Sequence, residues 1–97
     1  MEENARYRKF ARIALGGLNL QPGQSLAIKM EPGHIDVATV VAREAYQRGA
    51  RYVDIWPESA QLLRDRLTES ETEFLDYTPA YRAARNEEFI RDHWALL

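Results

Sequence analysis

The sequence predicts an α/β fold: a short parallel sheet built on a right-handed β-α-β unit, with about four helices and a third strand truncated early. Three observations lead there. Ser25-Leu26-Ala27-Ile28-Lys29-Met30 alternates, with Leu26, Ile28 and Met30 to one side and Ala27 and Lys29 to the other, the period of a strand. Asp36 to Gly49 changes to a helical period, with Ala38, Val41, Ala42, Ala45 and Tyr46 on one face. Arg51 to Trp56 returns to strand composition, rich in Tyr, Val, Ile and Trp. About twenty residues separate these strands, too many for a hairpin and suited to a crossover helix. Strands 25–30 and 51–56 are therefore expected to be parallel neighbours, joined by a right-handed crossover.

The chain before this unit reads as one helix over residues 4–16. Tyr7, Phe10, Ala11, Ala14, Leu15 and Leu18 form its apolar face, Asn4 its N-cap and Gly16-Gly17 its stop. Arg6, Arg8, Lys9 and Arg12 lie largely off that face. They are candidates for an anion patch, although charges on the open side of an amphipathic helix are the ordinary outcome. Pro22-Gly23 is a turn signal: Pro sets φ at the second turn position and Gly accepts φ > 0 at the third.

Within the unit, Val37, Val40 and Val41 widen the apolar face of the crossover helix, which is expected to be covered on two sides. Gly49 suits the position just past its end, with Arg43 and Arg48 near the negative end of the dipole. Val53 and Ile55 face one way, and Tyr52, Asp54 and Trp56 the other. Asp54 within a strand suits an edge or interface position better than a site carboxylate.

After Pro57 a third helix is expected over Glu58–Leu67, with Ala60, Leu63 and Leu67 facing in. Ser70-Glu71-Thr72-Glu73 has capping-box spacing and opens a short turn ending at Phe74-Leu75. The acidic run Glu69, Glu71, Glu73 and Asp76 reads as a solvated helix start rather than a cation site. Thr78-Pro79 reads as an N-cap followed by Pro at the first helical position. A fourth helix runs to Arg91 or Asp92, with Tyr81, Ala84, Glu88 and Phe89 in line and Ile90 beside them. His93-Trp94-Ala95-Leu96-Leu97 then turns apolar, as a crossover returning to a third strand would. The expectation is a single N-terminal domain over 1–97, a fragment of a longer chain whose sheet continues.

The 97 residues are 45% hydrophobic and 29% charged, with net charge −2 and no cysteine. This is the composition of an ordinary soluble domain. The absent basic surplus argues against a nucleic-acid partner. Disulfides and thiolate metal sites are excluded, and no apolar run approaches the roughly 18 residues of a membrane span. The acidic start Met1-Glu2-Glu3-Asn4 is unlike a secretory signal. A cytoplasmic protein is expected.

Residues that carry chemistry are sparse. Glu31-Pro32-Gly33-His34 follows the first strand where a phosphate loop would need several glycines or Gly-Lys-Ser/Thr, so the standard mononucleotide sites are rejected. His34 and Asp36 lie at the carboxyl end of a strand, where α/β proteins place ligands. If both are helical, they point roughly 200° apart and cannot share an ion. The simpler reading places Asp36 at the helix N-terminus, complementing its dipole. Ser25, Ser59 and Ser70 have no evident base partner. No catalytic, metal-binding or cofactor-binding residue is assigned.

Two segments carry a family resemblance: Gly17-Leu18-Asn19-Leu20-Gln21-Pro22-Gly23-Gln24, and Ala42-Arg43-Glu44-Ala45-Tyr46-Gln47-Arg48-Gly49-Ala50-Arg51-Tyr52-Val53. The second is the more specific. With them the chain resembles the N-terminal part of the aminopeptidase T / aminopeptidase S family, metallopeptidases also called thermophilic metalloproteases. The resemblance implies a parent several times longer, a dimeric cytoplasmic exopeptidase removing N-terminal residues from peptides with two divalent metal ions. Those ions' Glu, His and Asp ligands belong to the family's second half, so none transfers to a residue here. The implied role is a non-catalytic domain that supports the catalytic half, shapes substrate access or joins subunits. A homo-oligomer is also expected, because an open sheet edge invites pairing. The alternative is a free-standing small α/β interaction or oligomerisation module without enzymatic activity.

Overall fold

Leu26, Ile28 and Met30 need an apolar cover, and the helices on either side of their strand supply it. In the computed structural model, which describes residues 2–97, with side chains from Asn4 onward, the order is α1 (Glu2–Leu18), β1 (Leu26–Met30), α2 (Ile35–Gln47), β2 (Val53–Pro57), α3 (Ala60–Glu69), α4 (Ala80–Arg91) and β3 (Ala95–Leu96). Single 3-10 turns at Pro32–His34 and Thr72–Phe74 precede α2 and α4. The sheet order is β2-β1-β3, and both pairs are parallel. Leu26 registers with Val53 and Ala95, and Ala27 with Asp54 and Leu96.

One face of this sheet holds the core. Leu26 and Ile28 are buried with Ala11 and Leu15 of α1, Leu20, Ala38, Val41 and Ala45 of α2, and Ala95. Val53 and Ile55 pack at its margin. Strand alternation then sends Tyr52 and Trp56 to the opposite face. There Trp56 lies 6.5 Å from the Tyr81 ring of α4, and Trp94 lies 4.9 Å from Phe89 and 6.2 Å from Tyr52. This second layer is thin: neither α3 nor α4 contains a buried residue. The shape records it, at 46 × 34 × 17 Å with a radius of gyration of 15.9 Å, against about 12.5 Å for a compact chain of this length.

Three helices end in the same way. At the end of α1, Leu20 N–H bonds to the Leu15 carbonyl (3.2 Å) and Asn19 N–H to that of Gly16 (3.1 Å). At the end of α2, Ala50 bonds to Ala45 and Gly49 to Tyr46, both at 3.0 Å. At the end of α4, Trp94 bonds to Phe89 (3.0 Å) and His93 to Ile90 (3.4 Å). Each is a Schellman closure, which needs a left-handed residue just past the helix. Asn19, Gly49 and His93 fill that place, at φ 53, 90 and 52.

Several boundaries differ from expectation. The first helix begins at Glu2 and runs through Gly16-Gly17 to Leu18, so Asn4 is not its cap. Paired glycines stay helical because the stop is made one turn later, at Asn19. The second strand continues to Pro57, whose missing N–H is harmless on an edge strand. The third helix starts at Ala60, with Ser59 Oγ accepting from Leu62 N–H at 3.4 Å. The proposed capping box does not form: Ser70 terminates α3, its N–H bonding to the Arg66 carbonyl. Pro79, not Thr78, caps α4. Leu63 and Leu67, expected to face in, are 52% and 61% exposed, because no element among the described residues packs over α3. Ala84 and Glu88 are likewise exposed, and the row of α4 facing the sheet is Tyr81, Arg85 and Phe89.

Candidate functional site

The carboxyl end of the sheet is where an α/β fold places ligands, and here its polar groups bind one another. Lys29 Nζ lies 2.8 Å from Glu58 Oε2. Glu58 N–H donates to the Met30 carbonyl at 2.7 Å, and Ala60 N–H to Glu31 Oε1 at 3.3 Å. Both carboxylates in the crevice between the two strand ends thus have partners. Ser59 is the cap of α3, Ser25 is buried at the entry to β1, and Ser70 ends α3. None of the three has a histidine as hydrogen-bond partner among the described residues.

His34 is the N-cap of α2 and Asp36 lies in its first turn, as expected of a dipole-complementing carboxylate. His93 precedes β3 whereas His34 follows β1. The two strands are parallel, so the two histidines sit at opposite ends of the sheet. Among the described residues, no three His, Cys, Asp or Glu side chains gather to hold a metal ion. The donors present do not fit a two-metal centre, which needs several carboxylate and imidazole ligands around an open position. Asp54 lies on β2, at the edge of the sheet. The basic residues of α1 separate: Arg8 and Arg12 line a groove against α2, while Arg6 and Lys9 do not. At the far end of α4, a hydrogen bond from Arg91 Nε to Asp92 (3.3 Å) raises the pKa of that exposed guanidinium.

The second sheet face carries a feature that the sequence reading did not assemble. A groove of about 380 Å³ opens between Ala27, Trp56, Arg85, Phe89, Leu96 and Leu97. The Arg85 guanidinium lies 4.1 Å from the Trp56 ring centre and 5.6 Å from that of Phe89. Its Nε is buried without a hydrogen-bond partner. The available signal was the four-residue spacing of Tyr81, Arg85 and Phe89, which puts an arginine in an aromatic stripe.

This geometry joins a small sheet, a single core and an aromatic second face, with no assembled reaction centre among the described residues. The model of the thermophilic metalloprotease (M29) family matches residues 3–97. The chain belongs to that family. The chain is similar to aminopeptidase PepS from Streptococcus thermophilus, 29% identical over 80 residues, a match covering 81% of this chain and 19% of PepS. Among solved structures, wild-type AmpT from Thermus thermophilus superposes with a TM-score of 0.71 at 29% identity, over 87% of this chain and 21% of AmpT. The chain therefore spans about a fifth of the length of these two proteins. No described helix is long and apolar enough to cross a membrane.

Proposed function

We propose that this chain is the N-terminal, non-catalytic domain of a metal-dependent M29 aminopeptidase that removes N-terminal residues from peptides. The observation that carries the reading is the family match over residues 3–97, set against relatives of which this chain corresponds to only a fifth. The two divalent metal ions and their ligands belong to the remaining catalytic portion, and the chemistry runs there. This domain supports that portion and helps to define access to it, in a cytoplasmic homo-oligomer. Leu62, Leu63 and Leu67 favour the supporting role, because they leave an apolar row on α3 that no element among the described residues covers. The catalytic portion is the partner for that row.

The test compares the natural protein in its own cell extract with the isolated 97-residue chain. The expected result is an intact mass several times 11.2 kDa, with metal-dependent hydrolysis of a leucyl-peptide by the natural protein and none by the isolated chain. A natural mass near 11.2 kDa would replace this reading with a free-standing interaction module. Hydrolysis by the isolated chain that disappears in His34→Ala would show that the domain is itself catalytic.

A further inference from the structure

A groove of about 570 Å³ runs between α1 and α2. Arg8 and Arg12 reach it from successive turns of α1, and Arg43 faces them from α2. Asn4 and Gln47 add amide groups, and Glu44 is the one carboxylate among the described residues that line it. None of the three arginines has an ion-pair partner among the described residues. Three arginines thus line one concavity against a single described carboxylate, in a chain whose net charge is −2.

Two arginines one turn apart on a helix repel each other, and the third adds to that field from across the groove. The walls are held in place below. Ala11 and Leu15 of α1 are fully buried, with Val41 and Ala45 of α2 in the same core cluster. The Arg48 guanidinium bonds to the Arg12 carbonyl at 3.5 Å. The arginines are therefore presented by two helices packed on a common core. Guanidinium forks match the paired oxygens of carboxylate and phosphate, and a groove of about 570 Å³ has room for more than one such group.

We propose that the α1–α2 groove is a binding site for a small oligoanion, with Arg8, Arg12 and Arg43 clamping successive carboxylate or phosphate groups. The site does not depend on the aminopeptidase reading, and it is separate from the polar joint at the carboxyl end of the sheet. Carboxylates and phosphates share this chemistry, so two probes divide the sources: inorganic tripolyphosphate and citrate.

The experiment is a titration of the 97-residue chain with each probe, following arginine side-chain resonances by NMR, with sodium chloride at matched ionic strength as control. Saturable one-to-one shifts confined to Arg8, Arg12 and Arg43 are expected with at least one probe. The probe that binds more tightly identifies the source. Arg43→Gln weakens binding at least about tenfold, and Arg64→Gln on α3 leaves it unchanged. Circular dichroism checks that both variants keep their fold. Shifts that never saturate, that appear equally at Arg64 and Arg82, or that sodium chloride reproduces would overturn the proposal, as would an unchanged affinity in a folded Arg43→Gln variant.

Discussion

The carbonyl of Gly49 accepts a hydrogen bond from the amide of Gly23 at 2.7 Å. This contact joins the end of α2 to the turn that leads into β1, and both glycines are left-handed, at φ 90 and 80. A Cβ on Gly49 would lie 3.4 Å from Pro22 Cα and Cβ, close but tolerable, so the main cost of a side chain is the backbone conformation. Gly49→Ala is expected to destabilise the chain by about 1–2 kcal/mol, and Gly49→Asn by less. Urea denaturation of the two variants measures the difference.

Leucines on α1 and α3 should respond oppositely to truncation. Leu15 is wholly buried, and Leu15→Ala is expected to cost about 2–5 kcal/mol through lost burial and a residual cavity. Leu63 is 52% exposed, and Leu63→Ala should change the stability of this chain by no more than about 0.5 kcal/mol. In a longer enzyme whose catalytic portion covers α3, the Leu63 change becomes costly. Thermal unfolding of both variants in both contexts checks this.

Tyr46 is half exposed, yet its hydroxyl accepts the Val53 amide at 3.0 Å. This bond ties the last turn of α2 to the first residue of β2. Tyr46→Phe removes it at a cost of about 0.5–1.5 kcal/mol. The Val53 amide should then exchange with deuterium faster than its neighbours in the strand. Unchanged protection at Val53 would mean that the hydroxyl contributes nothing to pinning this strand.

Arg85 joins α4 to the second face of the sheet, its guanidinium 4.1 Å from the Trp56 ring centre. Arg85→Ala is expected to cost about 0.5–2 kcal/mol and to alter Trp56 fluorescence. Arg85→Lys keeps the charge but not the planar stacking, and should recover only part of the stability.

The Lys29–Glu58 pair is a weaker tie, with side chains 70% and 34% exposed. Lys29→Met should change stability by less than about 1 kcal/mol, and salt should narrow the difference further. Guanidinium-free thermal scans at low and high sodium chloride provide the comparison.

The local sequence by itself determined the α/β class, the parallel pairing of the strands near 25–30 and 51–56, and the left-handed Gly49. The physical reason is that alternation, helical periodicity and the need for positive φ act over a few residues and leave their mark in composition. Arginine and leucine roles were different. Nothing local distinguishes Leu63 on α3 from Leu15 on α1, since both sit on an apolar stripe; Leu63 is left in solvent because no element among the described residues packs over α3. Asn19 and His93 stop their helices because the chain has to turn there to reach β1 and β3, a demand set by the sheet. Arg43 meets Arg8 and Arg12, and Arg85 meets Trp56, only when segments far apart in the chain are packed together. Burial, capping by non-glycine residues and the convergence of charge were therefore decided by the tertiary structure, because each depends on what lies opposite a side chain rather than on what precedes it.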